Sequence, residues 1–108
     1  MKILVPGHHY LLDNLKQDGE TELQFYQDGF IHDRTIAGPS TQEVLRACID
    51  RVNELDKEKP WELNYEIIHH LRMAIALFEM RALYYKVEKG WQIENTPCGE
   101  DGHIWLIR

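Results

Sequence analysis

Six histidines and two cysteines are the side chains of this sequence with the widest chemical range. His8-His9 and His69-His70 are adjacent pairs, and neighbouring residues on a helix point about 100° apart, so His69 and His70 do not chelate one ion together. No H-E-x-x-H or C-x-x-C spacing occurs, and Cys98 with His103 makes half of a structural zinc site. No metal site is expected. Cys48 falls on an apolar helical stripe, where a thiol is inert, and Cys98 has Glu100 and Asp101 beside it, which disfavour a thiolate nucleophile. There is no G-x-S-x-G and no phosphate-binding glycine-rich loop, and Glu79 lacks a second carboxylate at catalytic spacing. The expectation is a protein with no catalytic residues and no cofactor.

What remains is suited to holding a ligand. Asn64 stands where a long helix begins, and the free N–H groups of a helix start favour an anion. Trp61 and Tyr65 flank it and can stack on a planar ring. Arg81 can clamp a phosphate bidentately, and Arg34 and Arg51 are further candidates of the same kind. Each has a plainer use as well: Asn64 as a helix cap, Trp61 as a plug over a helical hairpin, Arg51 as a solvated residue paired with Glu54 or Asp50.

The elements that must position these residues are legible from periodicity. Residues 61–89 contain no Gly or Pro, and Ile67, Leu71, Ala74, Ile75, Phe78, Ala82 and Tyr85 recur at the spacing of one helical face. This predicts a helix from Tyr65 to Lys89, capped by Asn64, closed by Gly90 and about 37 Å long. Beside that stripe lie His70, Met73, Leu77, Arg81 and Tyr84, at the spacing of a helix–helix seam. They are either the margin of a wide core face or a contact with a second subunit. Before the long helix, Ser40-Thr41-Gln42-Glu43 has the form of a capping box. Val44, Leu45, Cys48, Ile49, Val52 and Leu55 then form an apolar stripe, with Arg46, Asp50, Arg51 and Glu54 opposite. The run Asp56 to Lys59, then Pro60, is a connection so short that the two helices should form an antiparallel hairpin.

Residues 1–36 read as short strands and turns. Ile3-Leu4-Val5 is closed by Pro6-Gly7, His9 to Leu12 is a second strand, and Asp18-Gly19 is a turn. Leu23 to Gln27 is the strongest strand, and Asp28-Gly29 turns it into a partner over Phe30 to Ile36. At the other end, Trp91 to Glu94 and His103 to Ile107 suggest a terminal hairpin. The expected fold is α+β: a small N-terminal antiparallel sheet over 1–37, packed on an antiparallel helical hairpin over 39–89, with a short C-terminal β-hairpin over 90–108, all in a single domain.

Composition narrows the partners. The net charge of −6 disfavours binding to duplex nucleic acid, which needs a basic face, yet leaves room for a small anion held by local groups. With few cysteines, no leader-like start and no apolar run of membrane-spanning length, a soluble intracellular protein is expected.

Read in order, several segments resemble a family of small phage proteins that carry the anti-Thoeris and anti-CBASS hairpin domain. The resemblance rests on Gly7 to Asn14, Leu23-Gln24-Phe25, Ser40 to Leu45, Ile49-Asp50-Arg51 with Asn53, then Leu71, Ala74, Phe78-Glu79-Met80-Arg81 and Val87 to Gly90. It implies an oligomeric sponge, a dimer or larger. Such a protein takes up a cyclised ADP-ribose or a cyclic oligonucleotide in the host cytoplasm before an immune effector senses it, and does not cleave it. The resemblance places ligand contacts at Asn64 and Arg81 and matches Arg51 to a recurrent arginine of the first helix. Two departures stand out: Glu54 occupies the place of an aromatic platform, and Leu83-Tyr84-Tyr85 lacks the arginines common after Arg81. Tyr65, Trp61 or Tyr84 would then supply the stacking surface, and His70, at the subunit margin, is a further ligand-binding candidate. The rival expectation is an interaction module whose helical hairpin inhibits a host protein.

Overall fold

The computed structural model describes residues 1–29 and 34–88. The protein is α+β, with a three-stranded antiparallel sheet followed by two helices packed on each other. It divides into two compact units, the first Met1–Ser40 and the second beginning at Thr41. The expected terminal hairpin over 90–108, and most of the strand expected after Gly29, lie outside the described residues.

In the first unit, β1 (Lys2–Val5), β2 (His9–Asp13) and β3 (Glu20–Gln24) pair in chain order. The β1–β2 turn closes with the His8 N–H donating to the Val5 carbonyl at 3.0 Å, and Gly7 supplies the left-handed φ of +81° that this turn needs. A register shift between Ile3 and Val5 interrupts the β1–β2 ladder. On β2, Tyr10 faces Leu23 across the ladder and also meets Phe25 edge-on, with ring centroids 6.0 Å apart. On the other face, His9 Nε2 contacts Glu22 Oε1 at 2.5 Å.

The third strand differs from expectation. It runs from Glu20 to Gln24 and not from Leu23 to Gln27. Pairing starts as soon as the turn after Asp13 is closed, with Asp13 opposite Glu20, and it runs out when β2 reaches its first residue, His9, opposite Gln24. The Phe25 N–H still reaches the His8 carbonyl, but Tyr26 donates to Pro39 and Gln27 forms a single bridge with Ile36. Segment 38–39 therefore lies directly against 24–26. A Cβ on Gly38 would stand 2.8 Å from the Phe25 carbonyl carbon and 2.9 Å from the Tyr26 nitrogen, with the Gln24 carbonyl oxygen closer still. Gly38→Ala is expected to destabilise the protein by about 1–3 kcal/mol, the usual range for overpacking. A lower urea midpoint at unchanged slope would show it, and an unchanged midpoint would contradict it.

In the second unit, α1 (Thr41–Glu58) follows Ser40, and α2 (Asn64–Glu88) follows the connection 59–63. Arg46, near the start of α1, bonds Glu79 far along α2, and Asp56, near the end of α1, bonds Asn64 at the start of α2, so the helices are antiparallel. Ile49 and Ile75 form the buried centre of the seam, with Val44, Leu45, Cys48 and Val52 of α1 and Ile68, Leu71 and Ala82 of α2 around them.

The buried face of α2 is rotated from the one predicted. Ile67, Phe78 and Tyr85 are exposed, while Ile68 and Glu79 turn inward. Glu79 is 5% exposed, and its Oε1 accepts a bond from Arg46 Nη2 at 3.4 Å. Arg46 lies on the seam and not on the solvated face where periodicity placed it; its Nη1 also reaches Glu43 Oε2 at 3.3 Å. The physical reason is that α2 carries apolar side chains round most of its circumference. Apolar spacing alone does not single out one side, and the side turned to α1 is the one that also carries Glu79, paired with Arg46.

Candidate functional site

The turn between α1 and α2 gathers three of the expected ligand residues. Trp61, Asn64 and Tyr65 line a hollow of about 480 Å³ together with Asn53, Asp56 and Glu62. The helical hairpin explains the gathering: Asn53 and Asp56 lie three apart on one face of α1, and the chain reverses after Glu58 to bring the start of α2 beside them. Trp61 is 54% exposed and Tyr65 72%, so both side chains are accessible to a ligand.

The geometry at Asn64 departs from a simple N-cap. The Leu63 carbonyl accepts from the Ile67 N–H at 3.2 Å, which makes Asn64 the first residue inside the helix. Its side-chain Nδ2 donates to Asp56 Oδ1 at 2.8 Å, and the Trp61 N–H donates to the same oxygen at 3.2 Å. The Asn64 amide, with the Trp61 N–H, holds the Asp56 carboxyl below the ordinary carboxylate range, so this group is ionised near neutrality. A carboxylate of the protein itself thus sits near the positive end of α2, where an external anion had been expected.

A second hollow, of about 500 Å³, shares Pro60, Trp61 and Asn64 and adds Leu55, Glu58 and Lys59. The Lys59 ammonium makes no ion pair among the described residues. Neither Asp56 nor Lys59 was among the residues expected to bind. An acid in the last turn of a helix, against the local dipole, was the available signal for Asp56.

The other expected residues lie elsewhere. Arg81 is about 25 Å along α2 from Asn64 at the helical rise. Its guanidinium carbon stands 4.8 Å over the Tyr85 ring, and Tyr84 meets Tyr85 edge-on at 5.4 Å. Arg51 is exposed on α1; Glu54, one of its expected partners, bonds Lys57 at 2.8 Å instead. His70 is exposed, with Nε2 3.8 Å from Glu66 Oε2. Arg34 belongs to the first unit and is exposed. Within one chain, then, Trp61, Asn64 and Tyr65 form one cluster, and Arg81 and Tyr84 another. His70, Met73, Leu77, Arg81 and Tyr84 are all exposed on one side of α2.

Among the described residues no three His, Cys, Asp or Glu side chains are grouped to hold a metal ion, and no helix is long and apolar enough to cross a membrane. Comparisons of the chain with models of protein families, with curated proteins and with solved structures find no match.

Proposed function

We propose that this protein is a phage anti-defence sponge: it binds a cyclic nucleotide-type immune second messenger and sequesters it in the host cytoplasm without cleaving it. The observation that carries the reading is the hollow at the α1–α2 turn, where Trp61 and Tyr65 present accessible side chains and Lys59 stands in the adjoining hollow. Stacking with a nearby cation is what reversible nucleotide capture demands. The resemblance to the anti-Thoeris and anti-CBASS hairpin family supports the ligand class, and its motifs fall in order on β2, β3, α1 and α2.

The sponge works as a homo-oligomer, a dimer or larger. Support comes from the exposed Met73, Leu77 and Tyr84 on one side of α2, with Glu62 and Glu66 near its start and Arg81 and Lys86 near its end. Two α2 helices laid antiparallel bring unlike charges together and carry the Arg81–Tyr84 cluster of one copy toward the Trp61 end of the other. The same exposed side favours a second reading, in which it docks on a host protein and inhibits it.

Native mass spectrometry after incubation with a mixture of cyclic nucleotides, followed by denaturation and analysis of what is released, separates the readings. The sponge returns intact ligand from an oligomer. Altered ligand would indicate a hydrolase, and a monomer that captures nothing would leave the interaction module. Leu77→Glu is expected to lower the assembly to monomers, and an unchanged mass would exclude this side of α2 as the contact.

A further inference from the structure

Resting on the capture reading, we infer that the hollow at the α1–α2 turn receives the base of the captured signal and selects guanine. The polar groups that line it without Lys or Arg are mainly acceptors. Asp56 Oδ1 is already engaged by the Trp61 N–H and the Asn64 amide, which leaves Oδ2 without a bond among the described residues. The Glu62 carboxylate and the Asn53 amide also make no hydrogen bond among the described residues. A phosphate brought here meets two carboxylates and no cation, so the electrostatics oppose the part of a nucleotide usually sought first. A base edge rich in donors is favoured instead.

The common bases differ in this respect. Guanine presents two adjacent donors, N1–H and the N2 amino group, that suit a carboxylate, and an O6 acceptor that suits an amide N–H from Asn53. Adenine sets its N1 lone pair beside its amino group and so turns an acceptor toward the carboxylate; cytosine does the same with N3, and uracil flanks its one N–H with carbonyl oxygens. Trp61 and Tyr65 stack on any base, so the hydrogen-bonding groups and not the rings carry the choice. Lys59, across the shared wall of Pro60, Trp61 and Asn64, stands where a phosphate leaving the base can be met. Of the two ligand classes that the capture reading admits, the hollow therefore favours a guanine-containing cyclic oligonucleotide over a cyclised ADP-ribose, whose base is adenine.

The test is calorimetric titration of the full chain with cyclic di-GMP and with cyclic di-AMP, joined to the NMR shift of the Trp61 indole N–H on adding guanosine or adenosine. Cyclic di-GMP is expected to bind about tenfold more tightly, the scale of one well-made base-edge pair. Asn53→Ala and Glu62→Gln, both at exposed positions, are expected to narrow that gap. Equal binding, or a preference for cyclic di-AMP, overturns the inference and leaves capture standing. No dinucleotide bound, but a Trp61 shift with guanosine and not adenosine, overturns capture and leaves the guanine hollow standing. Neither response overturns both.

Discussion

Arg46→Met should lower the free energy of unfolding by about 2–3 kcal/mol, below the full cost of breaking a buried ion pair because the arginine side chain keeps some contact with water. Its side chain is 19% exposed and that of Glu79 only 6%. Removing the cation takes one charged partner from a carboxylate on the seam beside Ile75, where methionine offers volume but no hydrogen bond. The expected signature is a lower denaturant midpoint that is largely restored when Glu79→Met is added, since an apolar pair of similar volume needs no partner. If the double variant were no more stable than the single one, the pair would be stabilising in its own right and not merely compensating a buried charge. The circular dichroism of both should remain helical, because the pair links α1 to α2 and forms neither helix.

Trp61→Ala should weaken ligand capture by about 10- to 100-fold, the range for loss of one stacking platform. The same change should leave stability nearly unaltered, because Trp61 is more than half exposed and its backbone N–H, which bonds Asp56, is kept by alanine. This separation of binding from folding is what distinguishes a ligand platform from a plug over the helical hairpin. A plug would lose stability with little change in capture, and equilibrium titration beside urea unfolding measures both. Tyr65→Ala should fall in the same class with a smaller effect, since its ring is the more exposed of the two.

Where the sequence is informative, it is so through local chemistry. Gly7 and Asp18-Gly19 marked the turns that bound β2, and the absence of Gly and Pro after Trp61 marked α2 almost to its observed limits. These signals act within a few residues. Interactions across the chain were not legible. The frame of β3 depends on where β2 begins, which no feature of Leu23 to Gln27 reports. No local spacing reports that Arg46 meets Glu79 across the seam. Apolar residues surround this helix, and several stripes were therefore equally consistent with its spacing. The candidate site divides in the same way. Trp61, Asn64 and Tyr65 are close in sequence and were visible as a group, whereas Asn53 and Asp56 reach them only because the hairpin folds back. Arg81 shared a helix with Asn64, and the helical rise alone sets the two far apart.

The register shift in β1 bears on how the sheet meets other chains. Among the described residues β1 forms one edge of the sheet, and its side chains from Lys2 to Val5 are all exposed. A straight apolar edge of this kind, with Ile3, Leu4 and Val5 in a row, would be a ready template for a stray strand. The irregularity between Ile3 and Val5 breaks the even spacing of its backbone donors and acceptors, and Lys2, bonded to Glu20, sets a charge at its start. An incoming strand would meet an uneven ladder, which lowers the tendency of an edge of this composition to template further strands.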